Sequence, residues 1–140
     1  MQKIILIIAI IFTGIFFANA QEQDNFTLTV KITNLNSNKG QILIALYKGD
    51  HNFLKKRFIG GMSKIKDNKV TYTFKNIPKG EYAVSFFHDK NNNGKLDTNF
   101  LGIPKEDYGC SNNAIGFMGA PKYKDAKFEL NSHKTIENKF

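Results

Sequence analysis

The sequence predicts an all-β protein built as a single antiparallel β-sandwich with one long ordered loop. Several short segments alternate apolar and polar residues, and turn residues separate them. No amphipathic helix of useful length interrupts this pattern. Thirteen phenylalanines without a tryptophan fit an aromatic-filled β core. A chain of 140 residues is the usual size of one domain.

The first 20 residues are predicted to be a secretory signal peptide, and residues 21–140 the sandwich domain. Lys3 supplies the positive charge, and Ala18-Asn19-Ala20 matches the pattern after which signal peptidase cleaves. The apolar run between them has ~14 residues, against the ~20 that cross a bilayer. We therefore expect cleavage, no transmembrane segment afterwards, and an exported protein that is periplasmic or extracellular.

Four strands are predicted in the first part of the domain. Residues 26–33 and 70–77 alternate apolar and polar side chains, which is typical of half-buried strands. Residues 41–48 are apolar on both faces and indicate a central strand, and residues 81–88 form the fourth strand. Residues 53–62 show no period of two, so a short helical turn or an irregular crossing is expected there.

A long segment from residue 89 to residue 125 follows these strands. It contains five glycines, two prolines and six asparagines, and no strand of convincing length fits. Loops beyond ~12–15 residues are usually functional or disordered. This segment is too apolar for a solvated linker, so we expect it to be ordered and packed on itself. Two late strands are predicted around residues 126–130 and 134–140.

The stretch HDKNNNGKLD, residues 88–97, places oxygen donors at the spacing of calcium ligands. With Asp89 as position 1 of an EF-hand-type loop, oxygen donors fall at positions 3, 5, 7 and 9, and Gly94 falls at the sharp turn. Position 7 uses a backbone carbonyl, so a lysine is allowed there. The predicted calcium ligands are Asp89, Asn91, Asn93, Lys95 and Asp97.

This loop departs from an EF-hand. Position 12, normally a bidentate glutamate, is Phe100, and a predicted strand precedes the loop in place of a helix. The nearest downstream acids, Glu106 and Asp107, are candidates for additional ligands. Few carboxylates imply weak binding, with a Kd of ~10⁻⁴–10⁻³ M. The alternative is a plain hairpin turn, which leaves the spacing of the other donors unexplained.

Charge and cysteine content narrow the classes of partner. The chain has 20 Lys and Arg against 12 Asp and Glu, but the lysines are scattered and the densest cluster is residues 55–57. Bidentate contacts with guanine and with phosphate favour arginine. The chain contains a single arginine, Arg57, so no nucleic-acid partner is expected. Cys110 is alone, so we expect no internal disulfide.

Residues 77–114 resemble the signature of a group of exported bacterial proteins, the domain of unknown function 2141 family. The resemblance covers essentially the whole domain after residue 20. Cys110 departs from it, because an aromatic residue is expected there. The matching elements are Pro78-x-Gly80-x-Tyr82, His88-Asp89-x-Asn91-x-Asn93-Gly94-x-x-Asp97, Gly102-x-Pro104-x-Glu106-x-x-Gly109, Ser111-Asn112-Asn113 and Gly119-x-Pro121.

That resemblance implies no established activity. Residues 74–94 are also similar to the β-sandwich repeats of bacterial surface adhesins and to transthyretin-like domains, some of which bind calcium through an Asp/Asn loop. The resemblance therefore implies an immunoglobulin-like or transthyretin-like sandwich and favours calcium as the cofactor. A fold does not by itself give a function.

The sequence predicts an exported binding or structural module in which a weak calcium site orders a long recognition loop. Its partner would be a protein, a glycan or a small apolar ligand, held by the candidate anchors Phe100, Tyr108, Phe117 and Tyr123. The alternative is a small exported hydrolase that uses acids near the same loop, with His88, Cys110 and Ser111 close in sequence. No recognisable catalytic motif occurs, so no catalytic residue is assigned and an enzyme is not expected.

Overall fold

A computed structural model describes residues 24–140, and the predicted signal peptide lies outside them. The strands are β1 (Asn25–Thr33), β2 (Gln41–Lys48), β3 (Ile59–Lys64), β4 (Val70–Pro78), β5 (Gly80–Asp89), β6 (Tyr108–Cys110), β7 (Phe128–Leu130) and β8 (Lys134–Lys139). Two 3-10 turns span Asp50–Asn52 and Ser111–Asn113, and the helical turn α1 spans Tyr123–Ala126. None of the helices between residues 24 and 140 has the length and apolarity needed to cross a membrane.

The strands form two packed sheets. The smaller sheet has the order β4-β1-β8, and the larger has the order β3-β2-β5-β6, with β7 also paired to β5. The β-sandwich prediction is confirmed at this level. The prediction of a wholly antiparallel sandwich was wrong, because β8 runs parallel to β1. The chain reaches β8 from β7 in the other sheet, and a crossing between sheets does not impose the antiparallel direction that a hairpin does.

The main core lies between the two sheets. Alternate residues of β1 point into it, and Leu28, Val30 and Ile32 are fully buried. A second, smaller cluster lies on the outer face of the larger sheet and contains Tyr47, Phe53, Ala83, Cys110, Tyr123 and Ala126. Because β2 and β5 contribute to both clusters, both of their faces are apolar. The predicted central position of β2 is confirmed by its pairing with β3 and β5.

Strand β3 was missed by the sequence analysis, which predicted a helical turn or an irregular crossing over residues 53–62. This strand is an edge of the larger sheet, so it does not need an alternating apolar face. Two of its residues, Gly60 and Gly61, have no side chain with which to show a period. Gly61 is required by packing, because a Cβ there would collide with the Tyr72 ring.

The long segment after β5 also contains a strand that the sequence did not indicate. Strand β6 has three residues and pairs with β5 from Ser85 to Phe87. The Asp107 carbonyl extends this pairing by accepting a hydrogen bond from the His88 N–H at 2.9 Å. The segment is therefore anchored to the edge of β5, and residues 90–107 form an excursion that leaves β5 at Asp89 and returns to it.

Candidate cation-binding loop

The Asp89 carboxylate is fully buried at the end of β5 and accepts hydrogen bonds from the loop that follows. Its Oδ1 accepts from the Asn93 N–H at 3.0 Å, and its Oδ2 accepts from the Gly94 N–H at 2.9 Å. Gln41 of β2 lies opposite Asp89 in register and donates its side-chain amide to Oδ2 at 2.8 Å. These bonds fold the loop back onto the end of the sheet.

The surroundings of Asp89 also set its charge. Burial by itself raises the pKa of this carboxyl. Hydrogen bonds from Gln41 and from the N–H groups of Gly94, Asn93 and Asn92 outweigh that effect and hold the pKa below its usual value of 3.8. Asp89 is therefore ionised at neutral pH, in the state that both a cation and the loop N–H groups prefer.

The side chains of the loop converge on Asp97. The Asn91 amide nitrogen donates to Asp97 Oδ2 at 2.7 Å, and the Asn93 amide nitrogen donates to Oδ1 at 2.9 Å. Each asparagine oxygen closes a local turn, accepting from the Asn93 N–H at 3.1 Å or the Lys95 N–H at 2.8 Å. Three predicted ligands, Asn91, Asn93 and Asp97, thus lie together. The two asparagines face Asp97 with their amide nitrogens and not with their oxygens.

Two backbone positions make the tight turn of the loop. Asn92 and Gly94 both have a positive φ, of 58° and 75°. Glycine adopts this conformation without the steric cost of a side chain, and asparagine tolerates it better than most residues. The requirement for a positive φ at Gly94 was expected from its place in the loop pattern.

Glu106 ties the two ends of the loop together. It is 7% exposed, and its two oxygens accept from the Lys90 N–H at 2.9 Å and the Asp97 N–H at 3.1 Å. Asp107 instead forms an ion pair with the Lys90 amine at 3.1 Å. Across residues 24–140, no three His, Cys, Asp or Glu side chains form a group that could hold a metal ion. An additional-ligand role for Glu106 and Asp107 stays a prediction.

Replacing Glu106 by Gln tests whether its two hydrogen bonds hold the ends of the loop together. The amide offers one acceptor oxygen in place of two, so one backbone N–H loses its partner, and we expect a loss of about 1–2 kcal/mol in the free energy of unfolding. Urea unfolding at pH 7 measures it. Asp107→Asn is the matched control, because it breaks only a half-exposed ion pair worth about 0–1 kcal/mol. Equal losses for the two variants would contradict the bracing role.

The predicted recognition residues differ in exposure. Phe100 and Phe117 are 95% and 94% exposed, and Tyr108 is 45% exposed. Tyr123 is a core residue, only 6% exposed, so its assignment as a surface anchor was wrong. Its ring packs against Phe53 at 5.6 Å, and its hydroxyl accepts the Gly49 N–H at 3.2 Å. A helix of four residues is too short to show an apolar periodicity, so the sequence could not indicate that Tyr123 faces the core.

The residues considered for catalysis lie apart. His88 shares the inward face of β5 with Phe86 and places its Nε2 at 2.6 Å from the Lys39 carbonyl oxygen. Cys110 belongs to the cluster on the opposite face of that sheet, where burial raises the pKa of its thiol to about 11. Glu106 faces the loop. These three side chains do not converge on one pocket.

The Ser111-Asn112-Asn113 motif has a structural role that the sequence analysis did not identify. Fully buried Ser111 accepts the Val84 N–H at 2.9 Å and donates to the Ala126 carbonyl at 2.5 Å. The Asn112 amide donates to two carbonyls of the α1–β7 junction, and the Asn113 side chain accepts the N–H of Lys139 in β8. The run of three adjacent polar residues was the signal that the sequence offered.

A comparison with protein families identifies the family of this chain. The model of a family described as uncharacterized proteins conserved in bacteria (DUF2141) matches residues 30–137. This range contains the whole of loop 89–97, Glu106 and the Ser111-Asn112-Asn113 motif. No curated protein matches the chain, and no solved structure does.

Proposed function

We propose that this chain, which belongs to the DUF2141 family of uncharacterized bacterial proteins, is an exported binding module whose loop 89–97 takes up a calcium ion. One observation carries the proposal. The amide ends of Asn91 and Asn93 lie within 2.9 Å of the two Asp97 oxygens, while the loop backbone closes on ionised Asp89.

The donor set fits calcium better than other metals. Calcium takes oxygen ligands at ~2.3–2.6 Å, and carboxylates, amide oxygens and a backbone carbonyl are all suitable. Turning the Asn91 and Asn93 amides over exchanges nitrogen for oxygen at the same positions, next to Asp97. Asp89, Asn91, Asn93, Asp97 and the Lys95 carbonyl would then hold the ion. With two carboxylates in the set, affinity falls in the weak, extracellular range.

The ion would act on the turn that follows the loop. The Asp97 carbonyl accepts the Lys105 N–H at 2.8 Å, and Thr98 bridges to Pro104, so Asp97 stands at the base of the turn. Asn99 holds the turn closed by accepting the N–H groups of Leu101 and Ile103. Calcium therefore orders a turn whose exposed apolar residues, Phe100 first among them, meet a protein, a glycan or a small apolar ligand.

Two further predictions go with this proposal. The sandwich is proposed to be of the immunoglobulin-like or transthyretin-like type, which the two packed sheets support at the coarse level. The hydrolase alternative stays a prediction, and no contact within the described part of the chain favours it. Nucleic acid is not proposed as a partner.

Thermal unfolding with and without calcium tests the proposed function. At 5 mM calcium, a Kd of ~10⁻⁴–10⁻³ M stabilises the folded chain by about 1–2 kcal/mol, which raises the Tm by roughly 3–10 °C relative to EDTA. Asp97→Asn should abolish most of the shift by removing one of two charges. Asp125→Asn, at an exposed acid outside the loop, should keep it. An unchanged Tm in the unsubstituted protein would overturn the proposal.

A further inference from the structure

An open cleft of about 470 Å³ lies on the outer side of the larger sheet. Its walls come from two segments, residues 50–55 and residues 120–124. The cleft lies near the start of β5. The hydroxyl of Tyr123, a lining residue, accepts a hydrogen bond from the Gly49 N–H, and the preceding residue, Lys48, pairs with Tyr82 of β5. Asp89 ends the same strand, seven residues or ~23 Å further on. The cleft is therefore independent of the cation-binding loop.

The lining of the cleft is apolar but presents no open aromatic face. Phe53 and Tyr123 are only 7% and 6% exposed, and they meet each other at a steep angle of 62°. Stacking of a sugar ring needs a flat, accessible face, which these two buried rings do not offer. Leu54 and Ala120 complete the lining with exposed aliphatic surface, whereas Pro121 is buried. The cleft therefore suits a flexible alkyl chain better than a glycan.

Leu54 contributes an exposed apolar side chain to the cleft. Its φ is 57°, in the left-handed region that costs energy for a residue with a bulky side chain. This backbone holds the Leu54 side chain 40% exposed beside the cleft. The Asn52 carbonyl accepts the N–H groups of Lys55 and Lys56 at 3.0 and 2.9 Å, so this conformation closes the turn that follows the 3-10 turn Asp50–Asn52.

The charged residues of the cleft are mostly basic. Lys55, Lys122 and Lys124 contribute three positive charges, against one negative charge from Asp50. Within residues 24–140, none of the three lysines forms an ion pair, since the salt bridges there involve other lysines. The neighbouring Lys56 and Arg57 are also exposed, so the dense basic cluster of the sequence lies beside the cleft.

We propose that this cleft binds a single-chain anionic amphiphile. The alkyl chain would lie on Leu54 and Ala120, and the anionic headgroup would meet Lys122 and Lys124. The volume falls within the ~300–1,000 Å³ of small-molecule sites. Phe117 and Met118 precede Ala120 in the chain and are 94% and 93% exposed.

Decanoate is a suitable probe, with acetate and decanol as the charge-only and chain-only controls. Decanoate is titrated into the protein in the presence of EDTA, so that calcium neither binds the loop nor precipitates the probe. Amide ¹H–¹⁵N spectra then show which residues the probe contacts. The proposal predicts saturable shifts at Phe53, Leu54 and Tyr123 with decanoate, and much weaker ones with either control. No saturable shift there would overturn it, as would equal binding of decanol.

Two matched double variants test the role of the lysines. Lys122→Gln/Lys124→Gln should weaken decanoate binding about fivefold, from the loss of two exposed charge contacts. Lys66→Gln/Lys69→Gln removes the same charge at a different surface and should leave the affinity unchanged. Equal weakening by both pairs would show a general charge effect and contradict the proposed site. Because EDTA is present throughout, the result does not depend on the calcium proposal.

Discussion

Replacing Asp89 by Ala is expected to lower the free energy of unfolding by about 3–5 kcal/mol, the largest effect of any substitution in the loop. The carboxylate is fully buried and accepts from the Asn93 and Gly94 N–H groups and from the Gln41 amide. Hydrogen bonds to a charged group are worth about 1.5–3 kcal/mol each, and truncation leaves all three donors without this acceptor. Urea unfolding at pH 7 in EDTA measures the loss without a metal contribution.

The control for this substitution is Asp97→Ala under the same conditions. The Asp97 side chain accepts only from the exposed amides of Asn91 and Asn93, which find water when it is removed. We therefore expect a loss below about 1 kcal/mol for Asp97→Ala. If the two variants lose equal stability in EDTA, Asp89 does not organise the loop in the way described.

The stabilisation by Asp89 also depends on pH in a defined direction. Its pKa is lowered in the folded protein, so the folded state prefers the ionised form more than the unfolded state does. The contribution is complete above the unfolded value near 3.8 and is lost as pH falls through the lower folded value. The stability difference between the unsubstituted protein and Asp89→Asn should accordingly stay constant from pH 7 to about 5 and shrink below about 4. A difference that grows in acid would contradict this account.

Ser111→Ala is expected to cost about 2–4 kcal/mol, a large effect for the removal of one oxygen atom. Strand β7 pairs with β5 up to Tyr82, and β6 pairs from Ser85 onwards, so Val84 faces a gap between the two short strands. The Ser111 hydroxyl fills that gap by accepting the Val84 N–H, and it donates to the Ala126 carbonyl. Alanine leaves both groups buried without this partner.

Chemical denaturation of Ser111→Ala and Ser85→Ala provides the comparison. The Ser85 hydroxyl contacts only the Tyr47 hydroxyl, at 3.3 Å, so its removal should cost less than about 1 kcal/mol. Similar losses at the two positions would mean that the hydroxyl of Ser111 does not bridge β5 and α1.

The sequence predicted those parts of the fold that depend on local patterns. Alternation marked β1 and β4, and two apolar faces marked β2 as central. Alternation shows which face of a strand is buried but not the direction of its neighbour, so the parallel pairing of β8 with β1 was not predictable from it. Strand β3 carries Gly60 and Gly61 at an exposed edge, where no pattern is needed.

The candidate site divides in the same way. The spacing of donors within nine residues is local, and the side chains of Asn91 and Asn93 do contact Asp97, whereas their role as ligands stays a prediction. The contacts of Gln41 and Glu106 depend on strand register and on the return of the chain after residue 97, which no local pattern encodes. The orientation of the two asparagine amides depends on which groups face them, which sequence spacing does not specify.

The most direct test of the calcium proposal is a calcium titration of the protein followed by amide ¹H–¹⁵N spectra. The proposal predicts saturable shifts at the amides of residues 89–97, with a Kd of ~10⁻⁴–10⁻³ M, and no such shifts in Asp97→Asn. The turn at residues 98–104 should shift along with the loop, because Asp97 stands at its base. The absence of any saturable shift between residues 89 and 97 at 5 mM calcium would contradict the account.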